Sequence, residues 1–144
     1  MLYHNDKSIL FFNGDFKNVN DFRISPFNQT LNYGYGVFDG LRAYNAHQAP
    51  QIFKVKRHFE RLQKSAEKIN ISMPYSVQEM INYAYELFEQ NNMNESYIRP
   101  LVFMDKNMRA KVLRLLNLLT FIRALSQKIN YQILFKHNSP TMTL

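Results

Sequence analysis

The chain has 144 residues, 46% of them hydrophobic and 20% charged, which is ordinary for one globular domain with room for a core. It has no cysteine, so disulfides and thiolate metal sites are excluded, and no apolar run nears the ~18 residues that would cross a bilayer. The net charge of +7 is uneven: residues 1–105 balance 11 Lys/Arg against 11 Asp/Glu, while Lys106, Arg109, Lys111, Arg114, Arg123, Lys128 and Lys136 follow without one acid. A nucleic-acid partner would rest on that tail alone, and a tail this rich in Leu, Ile and Asn makes a poor solvated arm. Met1 to Lys7 lacks the basic flank and apolar run of a signal peptide, so a soluble, cytoplasmic protein is expected.

Taken in order, Ile9 to Asn13 reads as a strand, Gly14-Asp15 as a turn and Phe16 to Val19 as the returning strand of a hairpin. Ser25-Pro26 then leads into the stretch that organises the chain, Ser25 to Tyr44. It holds three of the four glycines, Gly34, Gly36 and Gly40, interleaved with Tyr33, Tyr35, Phe38 and Tyr44 beside Arg42. A tight bend of this kind can wall an apolar pocket and present a cation to an anion, and it can equally be a hairpin whose aromatics are core. Val37 to Tyr44 reads as one strand, Asn45 to Pro50 as a polar loop, and Gln51 to Phe53 as a second short strand.

Val55, Phe59, Leu62, Ala66 and Ile69 recur at helical spacing, with Glu60 and Lys64 placed for an i,i+4 pair on the charged face. Ser76-x-x-Glu79 is a capping box that starts a second helix, with Val77, Met80, Ile81, Ala84, Leu87 and Phe88 as its apolar stripe and Asn91 at its end. Tyr97 to Phe103 reads as a strand, and Pro100 places it at a sheet edge or a bulge. Met108 to Leu125 has helical spacing and Tyr131 to Phe135 could be a strand. The sum is a small α+β domain.

Three arginines stand out: Arg42 after the bend, Arg61 on the edge of the first helix, and Arg99 inside an otherwise apolar strand. By spacing alone, Arg61 can be a solvated helix face. Arg99 must pair internally, reach solvent or meet an anion, because an unpaired buried guanidinium is very costly.

Four linked motifs resemble one family. Phe12-Asn-Gly14, Tyr33-Gly-x-Gly-Val-Phe-Asp-Gly-Leu-Arg-Ala-Tyr44, His58-Phe-Glu-Arg-Leu-x-x-Ser-Ala66 and Tyr97-Ile-Arg-Pro-Leu101 are similar in order and spacing to the N-terminal domain of branched-chain amino acid aminotransferases, fold-type IV (class-IV) pyridoxal-phosphate enzymes. The resemblance implies a mixed sheet with two helices over residues 1–104. It implies transamination of leucine, isoleucine or valine with 2-oxoglutarate, in a homodimer or higher assembly, with no nucleic-acid or membrane partner. It assigns Arg61 to the cofactor phosphate, Tyr33 and Arg99 to the substrate carboxylate, Phe38 to the apolar pocket, and Gly40 and Arg42 to its lining.

The resemblance also implies that the Schiff-base lysine lies in a second domain, so no lysine here is expected to be catalytic. Residues 105–144 do not match the family's pattern, and the charge break falls at the same place. The expectation is a truncated or frameshifted chain, inactive alone; the alternative is a non-catalytic remnant or dimerising interaction module.

Overall fold

In the computed structural model, residues 5–46, 49–107 and 110–116 are described. The chain order is β1 (Ile9–Phe12), β2 (Asp15–Asn18), a 3-10 turn (Val19–Asp21), α1 (Gln29–Tyr33), β3 (Gly36–Phe38), β4 (Leu41–Ala46), β5 (Ala49–Ile52), α2 (Val55–Lys68), α3 (Val77–Gln90), β6 (Ser96–Met104) and β7 (Ala110–Leu116). The strands form one sheet in the order β2-β1-β7-β6-β4-β5, with β3 also pairing β6. The α+β class holds. Each described pairing is antiparallel, where a mixed sheet was expected: three of the six pairs are consecutive strands, and none is joined by a crossover to a parallel partner.

The first hairpin turns one residue earlier than the sequence suggests. Phe12 pairs with Asp15, leaving Asn13 and Gly14 as the two-residue loop, both at positive φ (53° and 95°), the conformation that Asn-Gly adopts most readily. Asn13 also closes the sheet: its amide donates to the Val112 carbonyl at 3.1 Å, and its Oδ1 accepts from the Val112 amide at 2.9 Å.

The expected helix between Met108 and Leu125 is corrected over residues 110–116, which form β7 and pair with β6 from Ile98↔Leu116 to Met104↔Ala110. Val112, Leu115 and Leu116 fit a helical stripe, but the open side of a nine-residue strand decides against it, since tertiary pairing overrides weak propensity. The expected strand at Tyr131 to Phe135 lies outside the described residues.

Strand β6 is therefore interior, not an edge. Pro100 is tolerated there because β3 ends opposite Leu101 and β4 begins opposite Ile98. The Pro100 carbonyl accepts from the Asp39 amide at 3.1 Å. Its missing N–H faces the same break, where no ladder bond is required. The expected continuous strand from Val37 to Tyr44 is interrupted here, at Asp39-Gly40.

Helices α2 and α3 cover one face of the sheet. Phe59, Leu62 and Ala66 of α2 and Met80, Ala84, Leu87 and Phe88 of α3 are buried against Phe11, Leu41, Ala43, Ile98 and Val102, each large side chain worth ~1.5–3 kcal/mol by removal from water. The capping box of α3 is formed: the Ser76 hydroxyl accepts from the Glu79 amide, and Glu79 accepts from the Ser76 amide. On α2 the ion pair is Lys56–Glu60 at 4.0 Å rather than Glu60–Lys64. The opposite face carries a smaller cluster, Leu10 and Phe103 with Phe12, Val19, Phe22 and Leu101. Beyond it that face is lined by Arg99, Tyr97, Phe38, Arg42 and Tyr44, because side chains alternate along each strand.

A candidate site at the break between two strands

The organising stretch contains a short helix that spacing did not reveal. The Asn28 side chain caps α1, accepting from the Thr30 and Leu31 amides at 2.8 and 3.2 Å, and Gly34 ends it in the left-handed region at φ 68°. The chain then enters β3 and reaches the Asp39-Gly40 break.

Gly40 makes room for Tyr97. A Cβ there would lie 2.0 Å from the Tyr97 hydroxyl oxygen and 2.8 Å from Cζ, so the phenol ring rests directly on the Gly40 backbone. Two residues further along β6, the Arg99 guanidinium lies over two aromatic faces, 5.2 Å from the Phe38 ring centroid and 5.8 Å from that of Tyr97. No acid pairs with it among the described residues, and its buried Nε has no hydrogen-bond partner. An unsatisfied buried donor costs ~1–3 kcal/mol, so the arrangement favours an anion arriving from the uncovered face. The internal ion pair that sequence allowed for Arg99 is absent here.

Arg42 stands beside Tyr97 in the ladder, 5.1 Å from the Tyr44 ring centroid and 3.8 Å from the Glu95 carboxylate. It is thus partly neutralised. Tyr33 is 78% exposed at the end of α1, and no described hydrogen bond or ring contact joins it to Arg99 or Phe38. Tyr97 links Phe38, Gly40, Arg42 and Arg99, and Tyr33 shares no described contact with them.

Arg61 approaches the same break from the helical layer. Its Nε donates to Asp39 Oδ2 at 2.9 Å and its Nη2 to Asp39 Oδ1 at 2.5 Å, a two-point charge-assisted contact. Asp39 Oδ1 also accepts from the Gly40 amide at 2.6 Å. His58 Nδ1 lies 3.3 Å from that oxygen and 3.1 Å from Arg61 Nη2. Burial pushes the Asp39 carboxyl up, but hydrogen bonds from Arg61, the Gly40 amide and His58, with the Arg61 charge, outweigh it and hold the group below its ordinary 3.8. The same contact raises Arg61. Arg61 is therefore a solvent-exposed guanidinium clamped by a buried carboxylate, and its two Nη1 hydrogens are uncommitted among the described residues.

Asp39, His58 and Tyr97 are the site members that sequence reasoning passed over. Asp39 carried a legible signal, being the sole acid between Asp21 and Glu60. His58 lies one turn before Arg61 on α2.

The chain belongs to the class-IV amino-transferases: the family model of that description matches residues 36–138, a span that continues past the charge break. Among curated relatives, it is 43% identical over 91 residues to a probable branched-chain-amino-acid aminotransferase of Rickettsia felis, covering 63% of this chain and 30% of that protein. It is 33% identical over 95 residues to the branched-chain-amino-acid aminotransferase of Salmonella typhimurium, covering 66% and 31%. The chain spans about a third of the length of these relatives, over their N-terminal part.

Among solved structures, the Escherichia coli branched-chain amino acid aminotransferase superposes with a TM-score of 0.72 at 26% identity, covering 76% of this chain and 39% of that one. A T.th. branched-chain amino acid aminotransferase complexed with N-(5'-phosphopyridoxyl)-L-glutamate gives 0.72 at 28%, covering 77% and 41%.

Proposed function

We propose that this chain supplies the N-terminal part of a pyridoxal-phosphate-dependent site that transaminates branched-chain amino acids with 2-oxoglutarate. One observation carries the reading. Two guanidiniums flank the Asp39-Gly40 break, Arg61 held by a buried carboxylate and Arg99 half-buried on aromatic faces without an acid partner. The residues fit a phosphate-bearing cofactor, because the Arg61 Nη1 edge is free to donate to a phosphate while Nε and Nη2 hold it in place.

Pyridoxal phosphate, when bound, supplies the electron sink of transamination. Arg61 holds its phosphate. Arg99 takes a substrate carboxylate, filling the donor that the protein leaves empty, and Phe38 with Tyr97 excludes water from one side of it. Gly40 keeps the space that the Tyr97 ring occupies, Arg42 lines the rim, and Tyr33 is the outermost member. The ligands named for the T.th. relative, a phosphopyridoxyl-glutamate and 4-methylvaleric acid, have the phosphate, the second carboxylate and the branched aliphatic chain that such a site would take.

The reading gives this chain binding and orientation, and gives no lysine in it a covalent role. Among the described residues no helix is long and apolar enough to cross a membrane, and a cytoplasmic homodimer is the setting we propose.

Two measurements test this. Titrating the 144-residue chain with 2-oxoglutarate should shift the Arg99 and Phe38 NMR signals saturably, and Arg99→Gln should abolish the effect; shifts confined to other surfaces would overturn the assignment. Borohydride reduction after mixing with pyridoxal phosphate should leave no uniquely labelled lysine, and one lysine labelled to completion would refute the non-covalent role. A second reading, an interaction module that pairs with another copy, draws on the exposed Phe27, Leu31, Tyr33 and Phe38; sedimentation of the purified chain tests it.

A further inference from the structure

We propose that Asp39 is a positioning residue for a phosphate monoester, acting through Arg61 by fixing the plane of its guanidinium. The inference rests on the reading of Arg61 as the phosphate holder.

The Arg61 side chain is 64% exposed, whereas that of Asp39 is 6% exposed. A long, solvated arginine samples many rotamers, and whatever fixes it must itself be fixed. Asp39 is. Its amide is bound to the Pro100 carbonyl at 3.1 Å, and its Oδ1 is bound to the Gly40 amide at 2.6 Å, so the carboxylate is locked to the break between β3 and β4. Arg61 spends Nε and one Nη2 hydrogen on it. His58 Nδ1 stands against the same two atoms, 3.3 Å from Asp39 Oδ1 and 3.1 Å from Arg61 Nη2. The Nη1 pair has no partner among the described residues and remains to donate.

Charge alone argues the opposite way, and this makes the inference testable. A carboxylate beside Arg61 offsets its positive charge, so a purely electrostatic role predicts that Asp39→Asn tightens phosphate binding. A positioning role predicts that it weakens binding, because the guanidinium must then be ordered at the moment of binding. The expected loss is about three- to tenfold, the cost of immobilising one rotamer-rich side chain.

The probe is pyridoxine 5'-phosphate, which lacks the aldehyde and so cannot react with surface lysines. It is titrated into the 144-residue chain while the Arg61 Nε–H signal and its relaxation are followed by NMR. In the wild type that signal is expected to show restricted motion before ligand is added. Asp39→Asn is expected to release the motion and weaken binding, and Asp39→Glu, which keeps the charge, to restore most of both.

If the probe leaves the Arg61 signals of the wild type unmoved, the phosphate reading fails and the proposal with it. If the wild type binds and Asp39→Asn binds as tightly or tighter, the phosphate reading stands and the positioning role is overturned. Should Asp39→Asn fail to fold, as its backbone spectrum would show, the wild type decides: a freely mobile Arg61 Nε–H overturns the proposal.

Discussion

Gly36 and Gly40 lie four residues apart, and alanine at each should fail for a different reason. At Gly40 the new Cβ would meet the Tyr97 hydroxyl oxygen at 2.0 Å and Cζ at 2.8 Å. To reach ordinary contact the ring tip must move by about 1.4 Å, the difference between a normal carbon–oxygen approach of about 3.4 Å and the distance available. Tyr97 lies on the face that the helices do not cover, so its ring can swing outward.

The stability cost of Gly40→Ala should therefore stay near ~1 kcal/mol, the low end for overpacking. The cost falls instead on Arg99, which loses one of its two aromatic faces, an interaction worth ~0.5–2 kcal/mol. At Gly36 the Cβ would meet the backbone oxygen of Val102 at 2.8 Å, with Thr30 atoms at 3.1 and 3.2 Å. That oxygen belongs to the centre of the sheet and cannot step aside, so Gly36→Ala should cost ~2–3 kcal/mol or more.

Urea unfolding of both variants measures the first quantity. The chemical shift of Arg99 Nε–H, moved upfield in the wild type by the two rings, measures the second. The expected order is Gly36→Ala worse for stability and Gly40→Ala worse for the Arg99 environment. A Gly40→Ala chain that is the less stable of the two, or that keeps the wild-type Arg99 shift, would refute this account of the site.

Three further outcomes follow from the same geometry. Because the folded carboxyl of Asp39 is held below its ordinary 3.8, its contribution is fully present above that value and is lost as pH falls through the lower, folded value; urea midpoints of wild type and Asp39→Asn should converge as pH is lowered below 3.8, and a constant gap would contradict it. Phe59→Ala removes a fully buried ring from beneath α2 and should cost ~3–5 kcal/mol, a large share of a small domain's stability, seen as a collapsed denaturant midpoint. Asn13→Ala should cost ~1–3 kcal/mol by orphaning the Val112 amide and straining a residue at φ 53°, and hydrogen exchange at Val112 should quicken; unchanged protection would show that β7 does not depend on that bond.

Much of the architecture was legible because it is written locally. The period of Val55, Phe59, Leu62 and Ala66 and the capping box at Ser76 set α2 and α3 nearly to the residue. Phe12-Asn-Gly14 marked the first hairpin, although its turn falls one residue earlier than expected. The helical spacing after Met108 misled because Val112, Leu115 and Leu116 satisfy both a helix stripe and a strand, and nothing local says that β6 has an unpaired side. Pro100 misled for a related reason. A proline excludes a ladder bond on one side only, and sequence does not show that the chain opposite is broken at Asp39-Gly40.

The site divides along the same line. Sequence by itself determined that Arg61 and Arg99 needed explanation, since a cation in an apolar strand or beside an amphipathic stripe is visible from one chain. It also carried the motif in which Phe38, Gly40 and Arg42 stand together. Only the tertiary structure decided that Asp39 clamps Arg61 across 22 positions of sequence, that Tyr97 lies against Gly40, and that Arg99 has rings beneath it and no acid beside it. Helical and strand periods report what is near along the chain, whereas an ion pair or a ring contact depends on what the sheet register brings near in space.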